Sequence, residues 1–221
     1  MNQTAGSLRM IIVMGGIGVI SGILIVLVYQ YTLPIIKRNR AEALQTSILR
    51  VVPGATSSKI FQIDSSGTVV PFNEKDERSL RLYGAYNAAG QLKGVAVEAR
   101  GQGFQDVIHI LYGYDPEQQA VVGMQVLESR ETPGLGDKIE KDADFVRNFE
   151  ALSVVPGDDG RPEHPVTMVK NGKKTDPWQV EAITGATISS RAIANILRAS
   201  TDQNLPVILN TLPHMRTEAG Q

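Results

Sequence analysis

Between Met10 and Ile36 no residue carries a charge, and Met10 to Val28 is apolar almost without interruption. A helix needs about 20 apolar residues to cross hydrocarbon, and this run suffices. Tyr29 and Tyr31 follow where interfacial aromatics belong. Pro34 stands where it bends or ends the span. The run is longer than the about 7–15 residues of a signal-peptide core, and no small-residue cleavage pattern follows it, so it reads as a retained anchor. Gly18 and Gly22 form a Gly-x-x-x-Gly pair, with Gly15 nearby. This pattern suits close helix packing, but glycine is also simply common in membrane helices. Residues 37–50 contain neither Gly nor Pro and stop before Pro53-Gly54, which predicts a helical stalk continuing from the anchor.

Beyond the stalk the pattern changes to short strands. Residues 60–72 predict a strand pair around Ser65-Ser66-Gly67. Leu82–Tyr86 and Leu92–Ala99 flank Asn87-Ala88-Ala89-Gly90, a hairpin turn. Val107–Tyr112 is nearly all apolar, as in a strand covered on both faces. After the turn at Asp115-Pro116-Glu117, Val122, Met124 and Val126 alternate along a strand over 120–127. Phe145, Phe149 and Leu152 lie at helical spacing in a predicted helix over 142–152. Val166–Val169 and Gln179–Ile183 read as short strands. Ile188, Ala192, Ile193, Ile196 and Leu197 mark one face of an amphipathic helix. The expected fold class is α+β: a single N-terminal transmembrane helix, then one domain of antiparallel sheet and helices. The expected segments are an anchor over 1–36, a stalk over 37–58 and the domain over 59–221.

The 221 residues allow one medium domain with an appendage. The net charge of −1 gives no field that would attract nucleic acid. Arg9 is the one charge before Lys37, so the rest of the chain holds 21 basic and 23 acidic side chains. Without cysteine the chain forms no disulfide and supplies no thiolate for haem attachment or an iron–sulfur cluster. His109, His164 and His214 are far apart, and none stands at metal-ligand spacing with a carboxylate, so no metal is expected.

The candidate chemistry lies in Thr184-Gly185-Ala186-Thr187-Ile188-Ser189, between a strand and a helix. Gly185 tolerates unusual dihedrals, and Ala186 adds little bulk. Thr187 and Ser189 fall at the helix start, where unpaired amides and the helix dipole favour an anion. Residue types alone read first as an ordinary N-cap after a tight turn. No P-loop pattern is present, and no dinucleotide fingerprint follows a strand. A second block, Glu131-Thr132-Pro133-Gly134-Leu135-Gly136-Asp137-Lys138-Ile139, combines a fixed proline dihedral with glycines that permit close backbone approach. By itself it reads first as a surface loop between strand and helix. Tyr112, Tyr114 and Trp178 are large enough to stack on a ring, but single aromatics of this kind read first as core.

Glu181-Ala182-Ile183-Thr184-Gly185-Ala186-Thr187 resembles the flavinylation signature Asp-x-x-[Ser/Thr]-Gly-Ala-Thr, with Glu181 in place of the usual Asp. The Glu131–Ile139 block resembles the Glu-Thr-Pro-Gly-Leu-Gly segment of two related families. These are the G-type subunit of the Rnf ion-translocating electron transport complex and the C-type subunit of the sodium-translocating NADH:quinone reductase. The continuation Asp-Lys-Ile is closer to the Rnf family. Gly101-Gln102-Gly103-Phe104 is similar to the families' glycine-aromatic loop.

The resemblance implies an FMN-binding domain with FMN joined through its phosphate to Thr187, placed there from FAD by a flavin transferase. Glu181 would belong to the flavinylation motif. Thr184, Gly185, Ala186, Ile188, Ser189, Glu131, Thr132, Pro133, Gly134 and Leu135 would contact the cofactor, and no residue would act as an acid or base. It further implies an electron-transfer subunit of an Rnf-type complex that couples ferredoxin and NAD redox chemistry to ion translocation. Its partners would be other subunits, the flavin transferase and membrane lipid. Turnover would belong to the complex, as an ion-translocating oxidoreductase, and not to this subunit alone. The alternatives are a component like the C-type subunit of the reductase and a non-redox assembly module. The families place the domain in the periplasm, on a single-pass anchor in a bacterial inner membrane. Lys37, Arg38 and Arg40 after the span would by a positive-inside count place it in the cytoplasm.

Overall fold

A computed structural model describes residues 3–64, 67–73, 76 and 79–217. The chain forms two compact units, Met1–Leu44 and Gln45–Gln221. Helix α1 runs from Gln3 to Val51 with Pro34 inside it. Pro34 therefore neither ends the helix nor separates anchor from stalk. It offers no N–H to the preceding turn. Nearby, the Thr32 hydroxyl donates back to the carbonyl oxygens of Val28 (2.8 Å) and Tyr29 (3.2 Å). From Arg9 to Tyr31 every residue of α1 is exposed. The segment is long and apolar enough to cross a membrane. The helix stops at Pro53-Gly54 as expected, with Gly54 at a φ of 82°.

The second unit is built on a seven-stranded sheet ordered β2-β1-β3-β4-β5-β6-β7, in which every pairing is antiparallel. β1 (Ser57–Ile63) pairs with β2 (Val69–Val70) as the expected strand pair, and the turn residues Ser65 and Ser66 lie outside the described residues. β3 (Leu80–Tyr86) and β4 (Leu92–Gln102) form the predicted hairpin. The Asn87 side chain closes its turn by accepting from the amides of Ala89 (3.0 Å) and Gln91 (2.9 Å). β5 (Val107–Asp115) and β6 (Ala120–Glu128) complete the centre.

Two expectations need correction. The helix predicted over 142–152 is shorter: after α2 (Lys138–Lys141), α3 covers only Ala143–Arg147, with the Asp142 carboxylate capping the amides of Asp144 and Phe145. Asn148 ends it, and Leu152–Ser153 turns into edge strand β7, where Leu152 pairs with Val121. Phe145 and Phe149 are both buried with rings edge to face at 5.2 Å, so the apolar spacing was real but served a helix and the bend after it. The second correction concerns Ile188, which is 54% exposed and not part of the buried stripe.

β8 (Thr167–Val169) and β9 (Gln179–Glu181) are the two short strands expected, paired in parallel outside the main sheet. Helix α4 spans Thr187–Thr217. Its buried residues Ala192, Ile193, Ile196 and Leu197 continue through Leu205, Ile208, Leu212 and Met215, past Pro206 and Pro213. Burial of about 1.5–3 kcal/mol per large apolar side chain outweighs the proline interruptions. α4 covers the sheet face that carries Tyr86 and Tyr112. Tyr112 shares a hydrogen bond of 2.9 Å with the Ser200 hydroxyl, and Tyr86 donates to the Met215 carbonyl at 2.9 Å. The opposite face takes the end of α1. Cβ atoms on Gly94, Gly113 and Gly123 would collide there with Val51 and Val52.

Candidate functional site

Four segments build the site. β4 and β5 are joined by the tight turn Gly103–Asp106, closed by the Gly103 amide donating to the Asp106 carbonyl at 2.9 Å. This turn presents Phe104, 61% exposed. The Glu131 block follows β6 and folds on itself. The Thr132 carbonyl accepts the amides of Leu135 (3.1 Å) and Gly136 (3.0 Å), and Gly134, at a φ of 78°, donates its amide to Asp137 Oδ1 at 2.7 Å. Lys141 Nζ, 2.6 Å from Asp137, holds that carboxyl below its ordinary value.

The third segment links β9 to α4. Gly185 sits at a φ of 86°, as the turn requires. The buried Ser190 hydroxyl clamps this turn. It accepts from the Ile183 amide at 3.1 Å and donates to the Ala186 carbonyl at 2.9 Å. The fourth segment is the first turn of α4. Thr187 opens the helix with an exposed side chain, while Ser189 is buried. Amides in this first turn have no carbonyl four residues back inside the helix, so they favour an anion.

These segments enclose a cleft of about 320 Å³ lined by Phe104, Glu131, Thr132, Leu135, Gly136 and Gly185 to Ser189. Of the sequence-predicted residues, Gly185, Ala186, Thr187, Ile188, Ser189, Glu131, Thr132 and Leu135 therefore meet. Pro133, Gly134 and Thr184 do not line it. Glu181 also stands apart. Its carboxylate accepts the Gly172 amide, and it borders a smaller cavity of about 70 Å³ with Asp142, Asn171 and Ile183. Its backbone is held by Asn148, whose Oδ1 accepts the Glu181 amide at 3.0 Å.

The cleft fits a group with a flat apolar ring and an anionic tail. Phe104, Leu135 and Ile188 are each more than half exposed on its walls, an arrangement that water alone does not favour. A Cβ at Gly185 would meet nothing, so the backbone is open to close approach. The volume lies at the low end of the about 300–1,000 Å³ typical of ligand pockets, as suits a cofactor left partly in solvent.

Residues 103–202 match the family model described as the FMN-binding domain. The G-type subunit of the ion-translocating oxidoreductase complex of Methanosarcina acetivorans is 28% identical over 197 residues, covering 88% of this chain and 92% of the relative. Residues 103–202 thus resemble an FMN-binding domain, and most of the chain is similar to these G-type subunits. The corresponding G-type subunit of Escherichia coli is 32% identical over 136 residues, covering 60% of this chain and 61% of the relative. In fold the chain is similar to NqrC of Shewanella oneidensis, with a TM-score of 0.65 at 18% identity, covering 81% of this chain and 99% of that one. It is similar to the same degree to the C-type subunit of the Na(+)-translocating NADH-quinone reductase of Parabacteroides distasonis, with a TM-score of 0.64 at 22% identity, covering 79% and 95%.

Sequence reasoning identified the cleft's two motif blocks but missed Ser190 and the partners of Glu131. Tyr112, Tyr114 and Trp178 stay away from the cleft. Both tyrosines are buried in the core, and Trp178 stacks on His164 at 4.0 Å.

Proposed function

We propose that this chain carries FMN esterified to Thr187 and relays electrons within an Rnf-type complex that couples ferredoxin and NAD chemistry to ion movement. The FMN-binding domain match and the likeness to G-type subunits support an FMN-binding electron-transfer subunit of an oxidoreductase complex. The observation that carries the finer reading is Thr187 itself, an exposed hydroxyl at the first residue of a 31-residue helix, on the wall of a cleft with apolar sides.

In the attachment step the Thr187 oxygen forms a bond to the FMN phosphorus of FAD. The bridging phosphorus–oxygen bond breaks, AMP leaves, and the threonine proton passes to solvent or to the departing phosphate. A flavin transferase performs the step. Thr187 then tethers and does no acid–base work. The bound group supplies electron uptake and release, singly or in pairs. The chain's residues would supply position: the amides of the first turn of α4 would hold the phosphate, and Phe104, Leu135 and Ile188 would shield an apolar ring from water. Helix α1 anchors the protein in the membrane, and the domain stands in the periplasm, where a tethered cofactor is not lost by dilution.

Two measurements test this reading. The full chain, expressed with the flavin transferase, should gain the mass of one FMN on the peptide containing Thr187, and Thr187→Ala should remove in-gel flavin fluorescence. An unmodified parent mass would overturn the reading. Protease added to spheroplasts should digest the domain; protection would place it in the cytoplasm.

A further inference from the structure

We infer that Glu131 is a positioning residue whose carboxylate locks the cleft together before the cofactor arrives. The inference rests on Thr187 as the attachment point and adds the group that fixes where Thr187 stands. Glu131 is 6% exposed. Its Oε1 accepts the amides of Phe104 at 2.8 Å and Gln105 at 3.0 Å. Its Oε2 accepts the Ser189 hydroxyl. One side chain thus joins its own block to the β4–β5 turn, 26 positions before it, and to the first turn of α4, 58 positions after it.

Two glycines make room for it. A Cβ on Gly103 would lie 2.5 Å from Oε1, and one on Gly136 would lie 2.6 Å from Oε2. A carboxylate has about four lone-pair sites, and three are already used inside the protein. Glu131 therefore acts on the cofactor chiefly through the walls it holds. Deleting it would leave two amides and a hydroxyl without their acceptor and would release Phe104 from the helix turn that carries Thr187.

The test uses the full chain in detergent. Amide hydrogen exchange is followed at Phe104 and Gln105 in chain made without the flavin transferase, and the rate of FMN incorporation is followed by intact mass once the transferase is supplied. Glu131→Ala should raise exchange at both amides by about tenfold or more and slow incorporation by a similar factor. Glu131→Gln keeps an acceptor for both amides and offers an N–H to the Ser189 oxygen, so it should restore both readouts to within about threefold. Ser189→Ala should slow incorporation yet leave exchange at Phe104 and Gln105 near that of the parent. Unchanged exchange in Glu131→Ala would overturn the lock. So would a Glu131→Gln chain that regains protection but not incorporation, because the charge would then act directly. If Glu131→Ala fails to fold, the other two variants still decide. Failure of the Thr187 assignment looks different, since the parent chain would then gain no mass at Thr187.

Discussion

The two sides of the domain use glycine for opposite ends. On the face that receives the end of α1, a Cβ on Gly123 would lie 2.5 Å from the Val51 carbonyl oxygen, and one on Gly113 would lie 2.7 Å from the Val51 carbonyl carbon. One on Gly94 would lie 2.8 Å from the Tyr114 carbonyl oxygen. These neighbours are mainly backbone, which has nowhere to go. Around the cleft, a Cβ on Gly136 would meet side-chain atoms alone, of Glu131 and Ser189, and one on Gly103 would meet Glu131 Oε1 first, at 2.5 Å. The first arrangement clamps a helix end onto a sheet. The second gathers loops around a space a ligand can occupy. A backbone contact thus holds the helix end, and a side-chain contact shapes the site.

Gly113→Ala should break the comparison hardest. Because the neighbour is backbone, overpacking should cost about 3 kcal/mol, read from the denaturation midpoint of the full chain in detergent. An unchanged midpoint would mean that the clamp is not a stabilising contact. Gly136→Ala meets a side chain, so the expected loss is smaller, about 1–2 kcal/mol, and it should be accompanied by slower FMN incorporation at Thr187. Gly113→Ala should have the reverse profile, with the larger loss of stability and flavin incorporation preserved in the molecules that fold. Equal profiles for the two variants would erase the distinction between clamp and cleft.

Why the cleft was legible and the clamp was not follows from range. Thr187, Gly185 and the Glu131 block are short local motifs, by residue type an N-cap and a surface loop, which the resemblance to the two families picks out. The strands were legible for the same reason, since the alternation of Val122, Met124 and Val126 and the turn at Asn87–Gly90 are local signals. Contacts between distant segments leave no such trace. Nothing near Gly113 in sequence says that Val51 will lie over it, and nothing near Glu131 says that its carboxylate will meet Phe104 and Ser189. Ile188 was misplaced because periodicity counts an apolar residue as buried, while this one faces the cleft. The overlong third helix erred similarly, as Leu152 kept helical spacing but found its partner in Val121 on the sheet.

The smallest expected effect sharpens the contrast from the clamp's own face. There Glu98 lies 2.7 Å from His109 Nε2 and accepts a hydrogen bond of 2.5 Å from the Tyr83 hydroxyl. Burial pushes the Glu98 carboxyl up, but the adjacent His109 imidazole and the hydrogen bond from Tyr83 together outweigh it and hold the group below its ordinary value of 4.5. Burial and the neighbouring carboxylate push the Tyr83 hydroxyl up, so it stays a donor throughout the acid range. A carboxyl whose folded value is depressed contributes stability that is complete above its unfolded value and is lost as pH falls through the folded one. The window is therefore below about pH 4.5, where the unfolded chain binds the proton first. Glu98→Gln should flatten this acid limb of the stability curve, measured as denaturation midpoint between about pH 5 and pH 3. Parallel losses in parent and variant would show that Glu98 adds nothing to the acid limb, leaving the backbone clamp as what holds this face.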